Sequence, residues 1–144
     1  MTYVMLVGTD AALLEGLAQS LAGLGHRPSV TATLAEAREL SAAHPPLVLV
    51  VDRMLAGSGG AELLAVSVAS GGARLLYRTV AMPPTPLLPA IQRAVLADLT
   101  LPLERNRLMA LVRSVGERAK ATGRAPRVTP PETRAVPDSA EGKR

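Results

Sequence analysis

The sequence predicts an α/β domain built on a five-stranded parallel sheet with helices on both faces. Three observations lead there. Apolar runs of strand length alternate with amphipathic stretches of helix length from the start of the chain. The run Leu47-Val48-Leu49-Val50-Val51 is apolar without interruption, as suits a strand buried on both faces. Gly and Pro punctuate most junctions between these segments. Alternating strands and helices with right-handed crossovers leave few topologies. The strand order 2-1-3-4-5 places the ends of the first and third strands side by side at the switch point of the sheet.

Each element has a local reason. Tyr3 to Val7 is the first strand. Asp10 caps the helix that follows, in which Leu13, Leu14, Leu17, Leu21 and Leu24 recur at helical spacing, and Gly25 supplies a left-handed stop. Pro28 to Thr31 is a weaker second strand. Thr33 and Glu36 form a capping-box pattern for a helix through Ala43. Pro45-Pro46 ends that helix, because proline disfavours helical geometry in the residue before it. Leu47 to Val51 is the third strand, followed by a loop over Arg53–Gly60 and a helix from about Gly60 to Ala69, broken by Gly71-Gly72. Arg74 to Arg78 is the fourth strand. Pro86 opens a helix running to about Leu96, which Pro89 should make short or irregular. Asp98 to Leu101 is a brief fifth strand. The last helix, Glu104 to Thr122, carries Leu108, Leu111, Val112, Val115 and Ala119 on one face, and Gly123 ends it. Residues 1–123 thus read as one domain. Residues 124–144, with Pro126, Pro130, Pro131 and Pro137 among charged and small residues, read as a disordered tail.

Composition narrows the chemistry. The 144 residues suit one domain with a full core, 48% of them hydrophobic but only 1% aromatic. The core is therefore Leu, Val, Ala and Met, with little material for base-stacking platforms. The absence of Cys excludes disulfides and thiol catalysis. His26 and His44 sit at element boundaries and read as solvated loop residues rather than catalysts or metal ligands. No basic segment precedes an apolar stretch at the N-terminus, and the apolar runs are strand-sized, so a soluble cytoplasmic protein is expected. The net charge of +4 is uneven: residues 1–101 carry six Arg against seven Asp and Glu, whereas residues 102–144 carry ten Lys and Arg against five. The last helix and the tail are the positive end.

The chemistry-bearing residue is Asp52. It closes the third strand at the C-terminal edge of the sheet, where open α/β sheets place their sites. Gly8-Thr9 ends the neighbouring first strand and faces it across the crevice. Gly57-Ser58-Gly59-Gly60 lacks the lysine and spacing of a phosphate-binding loop, and Ser58 has no nearby His to activate it.

Taken in order, Leu49-Val50-Val51-Asp52 with the Gly-containing segment after it, Val7-Gly8-Thr9-Asp10 and Ala97-Asp98-Leu99-Thr100-Leu101-Pro102 give the chain a pattern that resembles a response-regulator receiver domain over about Tyr3 to Thr122. The resemblance implies a flavodoxin-like fold with Asp52 at the phosphoacceptor position. It implies further that Gly8 and Thr9 stand where the family has an acidic pair, Leu101 where it has a lysine before the retained Pro102, and Ala56 where it usually has a proline. Thr79 falls near the family's switch Ser/Thr, with Tyr77 the alternative by counting.

The departures set the functional expectation. Phosphoryl transfer to a carboxylate needs its charge neutralised, usually by Mg²⁺, a hard cation that takes oxygen ligands. Gly8 and Thr9 offer no carboxylate, Asp10 serves as a helix cap, and Leu101 cannot pair with a phosphoryl oxygen. A degenerate receiver, or pseudo-receiver, is therefore expected: no enzyme, no cofactor, no metal, and signalling by protein–protein contact with Asp52 unphosphorylated. Arg78, near the end of the adjacent strand, is the expected partner of Asp52, and Arg53 is expected to point away. In the family, partners and dimer mates use the face formed by the fourth helix, fifth strand and fifth helix. Here Arg93, Arg105, Arg107, Arg113, Arg118 and Lys120 are its contact candidates, a homodimer is one possibility, and neither a membrane nor nucleic acid is an expected partner. Two alternatives remain: an atypical phospho-accepting regulator using Asp52, and a small-ligand sensor using the crevice at Gly8, Asp52 and Thr79.

Overall fold

The computed structural model describes residues 2–58, 60–80 and 86–128. Its elements follow in the order β1 (Tyr3–Val7), α1 (Ala11–Gly23), β2 (Arg27–Thr31), α2 (Leu34–Ala43), β3 (Val48–Asp52), α3 (Arg53–Ser58), α4 (Gly60–Ala65), β4 (Ala73–Thr79), α5 (Pro89–Ala94), β5 (Ala97–Leu101) and α6 (Arg105–Val128). The five strands form one sheet in the order β2-β1-β3-β4-β5, with every described pairing parallel. The predicted fold class and topology are those observed.

Strand alternation sorts the apolar side chains into two cores, one on each face of the sheet. Val4, Leu6, Val50, Leu75, Tyr77, Leu99 and Leu101 meet Leu14, Leu17 and Leu21 of α1 and Leu108, Val112 and Val115 of α6. Met5, Val7, Leu49, Val51 and Leu76 meet α2 through α5 on the other face, through Leu34, Ala37, Ala56, Leu63, Val66 and Ile91. Each fully buried Leu or Val contributes about 1.5–3 kcal/mol relative to exposure. That is ample to hold helices too short to persist alone.

The caps match the sequence pattern. Asp10 accepts a hydrogen bond from the Leu13 amide at 3.2 Å. Thr33 Oγ1 accepts from the Glu36 amide at 3.1 Å, and Glu36 Oε1 reaches back to the Ala32 amide, also at 3.1 Å. Gly25 takes φ +89, the left-handed stop expected of it.

Strand ends fall within one residue of expectation, and four helical segments differ from it. The loop expected after the third strand is helical from Arg53, since Asp52 Oδ1 accepts from the Met54 amide at 2.9 Å and so caps α3 itself. The helix expected to reach Ala69 ends at Ala65. There the β-branched Val66 and Val68 disfavour continuation, and Arg74 Nη2 takes the Val66 carbonyl at 2.8 Å. The helix expected over Pro86–Leu96 shrinks to Pro89–Ala94, with Pro89 in its first turn, where a missing N–H is harmless. Finally α6 continues five residues beyond Gly123, to Val128. A single glycine costs only about 1 kcal/mol inside a helix, too little to end one unaided. The rest of the expected tail, residues 129–144, lies outside the described residues.

Candidate functional site

Parallel registry builds the site at the C-terminal edge of the sheet. Asp52 lies opposite Tyr77 of β4, Tyr77 opposite Leu99 of β5, and Thr79 opposite Leu101. Residues in register project to the same face, so Asp52, Tyr77 and Leu101 share the α1/α6 side of the sheet, and Gly8 joins them two places after Leu6. Asp52 is 7% exposed.

Tyr77 is the residue that fills this space. Its side chain is 1% exposed, and its hydroxyl has no hydrogen-bond partner among the described residues. A Cβ built on Gly8 would stand 2.2 Å from that hydroxyl and 3.3 Å from both Asp52 Cβ and Leu14 Cδ1. Gly8 is not in the left-handed region; the position needs glycine for room. The phenol thus lies across the crevice between the ends of β1 and β3. Burial raises its pKa well above the ordinary tyrosine value, and the negative charges of Asp52 and then Asp10 add to the shift. A neutral phenol is held beside a carboxylate.

The other expected site residues take separate places. Leu101 is fully buried in the α1/α6 core, so the position where the resemblance puts a lysine is an apolar packing site. The Leu101–Pro102 peptide is cis. Pro102 borders a surface hollow between α1 and α6 rather than the crevice. Thr9 is exposed, and Thr79 is half-buried.

The expected Asp52–Arg78 pair does not form. Alternation places Arg78, one residue after Tyr77, on the opposite face from Asp52, and among the described residues the two make no ion pair. The Arg78 charge instead helps to lower the pKa of Glu104, whose shift comes first from the Thr100 amide and then from Arg107. Arg53 points away from the crevice as expected. It crosses to the other face and pairs through Nη1 with Asp98 Oδ2 of β5.

These residues do not fit a magnesium ion. Two carboxylates lie near the crevice among the described residues, Asp52 and Asp10; Asp52 Oδ1 is taken by the Met54 amide, Asp10 Oδ1 by the Leu13 amide, and the Tyr77 phenol occupies the room over Gly8. No group of three or more His, Asp or Glu able to hold a metal occurs among the described residues. A ligand pocket at Gly8, Asp52 and Thr79 meets the same obstacle, and five hollows on the described surface are lined by none of the three.

The six basic candidates do not form one patch. With about 100° per residue, Arg107 and Arg118 fall on one side of α6, whereas Arg105, Arg113 and Lys120 fall on another. Arg118 borders a hollow with Arg93 of α5. Arg105 donates to Ser20 Oγ of α1, and Arg113 and Lys120 flank His26 and Thr2. The resemblance grouped all six on one face; helical spacing and the neighbours of α6 divide them.

No family model and no curated protein matches the sequence. Solved structures match well in shape. NtrX from Brucella abortus, in a complex with ADP, aligns with a TM-score of 0.69 at 17% identity over 86% of this chain; the chain spans 28% of that protein. A response regulator receiver modulated diguanylate cyclase structure from Pelobacter carbinolicus gives 0.67 at 14% identity, covering 85% of this chain and 98% of that one. A response regulator receiver domain protein from Clostridium thermocellum gives 0.67 at 13% identity, covering 85% and 99%. No described helix is long and apolar enough to cross a membrane. The sheet order and the acid at the end of β3 belong to a chain with the fold of response-regulator receiver domains.

Proposed function

We propose that this domain is a pseudo-receiver: a cytoplasmic, non-enzymatic signalling module that acts through protein–protein contact and does not depend on phosphorylation of Asp52. The observation that carries this reading is the Tyr77 phenol lodged over Gly8 beside Asp52. A phosphoryl group on Asp52 would need that room, and it would need the magnesium-binding carboxylates that Gly8 and Thr9 lack and a cation that Leu101 does not supply. A buried neutral phenol against a carboxylate keeps the crevice in one state. A two-component setting is supported by the receiver folds it resembles, several of which belong to response regulators by description.

The docking surface we assign is the α5–β5–α6 face, reduced to Arg93, Arg107 and Arg118. Leu88, Leu96 and Leu103 are 65%, 47% and 75% exposed around it and would supply the apolar contact that a charged rim alone lacks.

The test is incubation with acetyl phosphate and Mg²⁺ followed by intact-mass measurement. No adduct is expected. A phosphate adduct that disappears in Asp52→Asn would overturn the proposal and favour an atypical phospho-accepting regulator. In cells, Asp52→Asn should leave signalling intact, while Arg107→Glu with Arg118→Glu should impair it.

A further inference from the structure

At the opposite end of the sheet from Asp52, a hollow of about 480 Å³ opens between the start of β4, the end of α5 and the second half of α6. Three arginines border it: Arg74, Arg93 and Arg118. No Asp or Glu lines it, and among the described residues none of the three is in an ion pair. Arg93 and Arg118 are exposed. Arg74 is held in place, since its Nη2 donates to the Val66 carbonyl at 2.8 Å, while its Nε is buried without a partner.

Guanidinium groups do not shed their protons, so three of them around one concavity repel each other at every working pH. A multivalent oxyanion relieves that repulsion, and the planar fork of arginine matches phosphate oxygens in pairs. Ala73, Val95, Leu96 and Ala119 complete the lining with apolar surface, and the volume lies within the range of about 300–1,000 Å³ typical of small-molecule sites.

We propose that this hollow binds a small phosphate-bearing molecule, with Arg74 as the fixed donor and Arg93 and Arg118 as the clamps. The site goes beyond the pseudo-receiver reading: it uses neither Asp52 nor its crevice, but it shares Arg93 and Arg118 with the docking surface assigned above, so a phosphate ligand and a protein partner would compete for them. It would give the domain an input that does not pass through the phosphoacceptor position.

The experiment is an amide NMR titration of the full chain with pyrophosphate, at ionic strength held constant with sodium chloride. Saturable shifts are expected at Gly71, Gly72 and Ala119. The double variant Arg93→Ala/Arg118→Ala alters two exposed side chains and should leave the thermal midpoint unchanged or slightly raised, since it also relieves their repulsion. It should weaken binding by roughly tenfold or more, the loss expected for charge-assisted hydrogen bonds. Shifts that stay linear, or that persist unchanged in the double variant, would overturn the site. A parallel titration with tricarballylate should bind more weakly; equal affinity would overturn the assignment to phosphate.

Discussion

Replacing Gly8 with alanine should destabilise the domain by about 2 kcal/mol, and removing one hydroxyl elsewhere should abolish most of that cost. The new Cβ would lie 2.2 Å from the Tyr77 hydroxyl, where a relaxed contact needs about 3.5 Å. Roughly 1.3 Å must be recovered by moving a ring that is 1% exposed, on a strand paired on both sides. Gly8 cannot retreat freely, because its amide donates to the Thr31 carbonyl at 3.0 Å. Overpacking of this kind costs about 1–3 kcal/mol. In Tyr77→Phe the offending atom is gone, and nothing else stands nearer than 3.3 Å. The same Gly8→Ala change should then cost under about 0.5 kcal/mol, since alanine also restricts the unfolded chain. The coupling between the two sites is therefore about 1.5–2 kcal/mol, read from a double-mutant cycle of urea unfolding curves. Tyr77→Phe alone should stabilise by about 1 kcal/mol, because it removes a buried hydroxyl without a partner. If Gly8→Ala costs the same in both backgrounds, the phenol does not occupy the crevice, and the argument against phosphorylation loses its basis.

Other expectations follow from the same geometry. Tyr77 has a raised pKa in the folded state, so its contribution to stability is complete below the ordinary tyrosine value of about 10 and is lost as pH rises above it. Alkaline unfolding followed by circular dichroism at 222 nm should therefore begin at higher pH in Tyr77→Phe than in the parent. Glu104 has a lowered pKa through the Thr100 amide, so its contribution is present above the ordinary carboxylate range and is lost as pH falls through the folded value. Glu104→Gln should flatten the acid side of the stability profile, measured by thermal midpoints from pH 3 to 7. Asp10→Ala removes the α1 cap and should cost about 1 kcal/mol in urea, with circular dichroism at 222 nm as the readout.

Much of the fold was legible because it rests on local patterns. The uninterrupted run at Leu47–Val51 could only be a strand buried on both faces, and Asp10, Thr33 and Gly25 carry their cap and stop functions within four residues of themselves. Asp52 could be placed at the sheet edge for the same reason, since it follows directly on the strand that positions it. Helix ends were less legible. Whether α4 stops at Ala65 depends on Arg74 reaching its last turn, and α6 runs through Gly123 because one weak residue does not end a helix.

What the sequence by itself determined is the order of elements, the parallel 2-1-3-4-5 sheet and an acid without its usual reagents. Those are properties of short segments: the period of apolar residues, the φ angle that Gly or Pro favours, the presence or absence of a carboxylate. What only the tertiary structure decided is which distant residues share a face. Register set Tyr77 opposite Asp52 and turned Arg78 away, although counting along β4 made Arg78 as near as Tyr77. The neighbours of α6 split the basic residues that the resemblance had grouped on one face: Arg118 borders a hollow with Arg93, whereas Arg105 reaches Ser20 and Arg113 and Lys120 flank His26. A shift of one residue in strand pairing exchanges the two faces of the sheet, so these contacts are fixed by the whole set of strands and helices. No single segment contains that information.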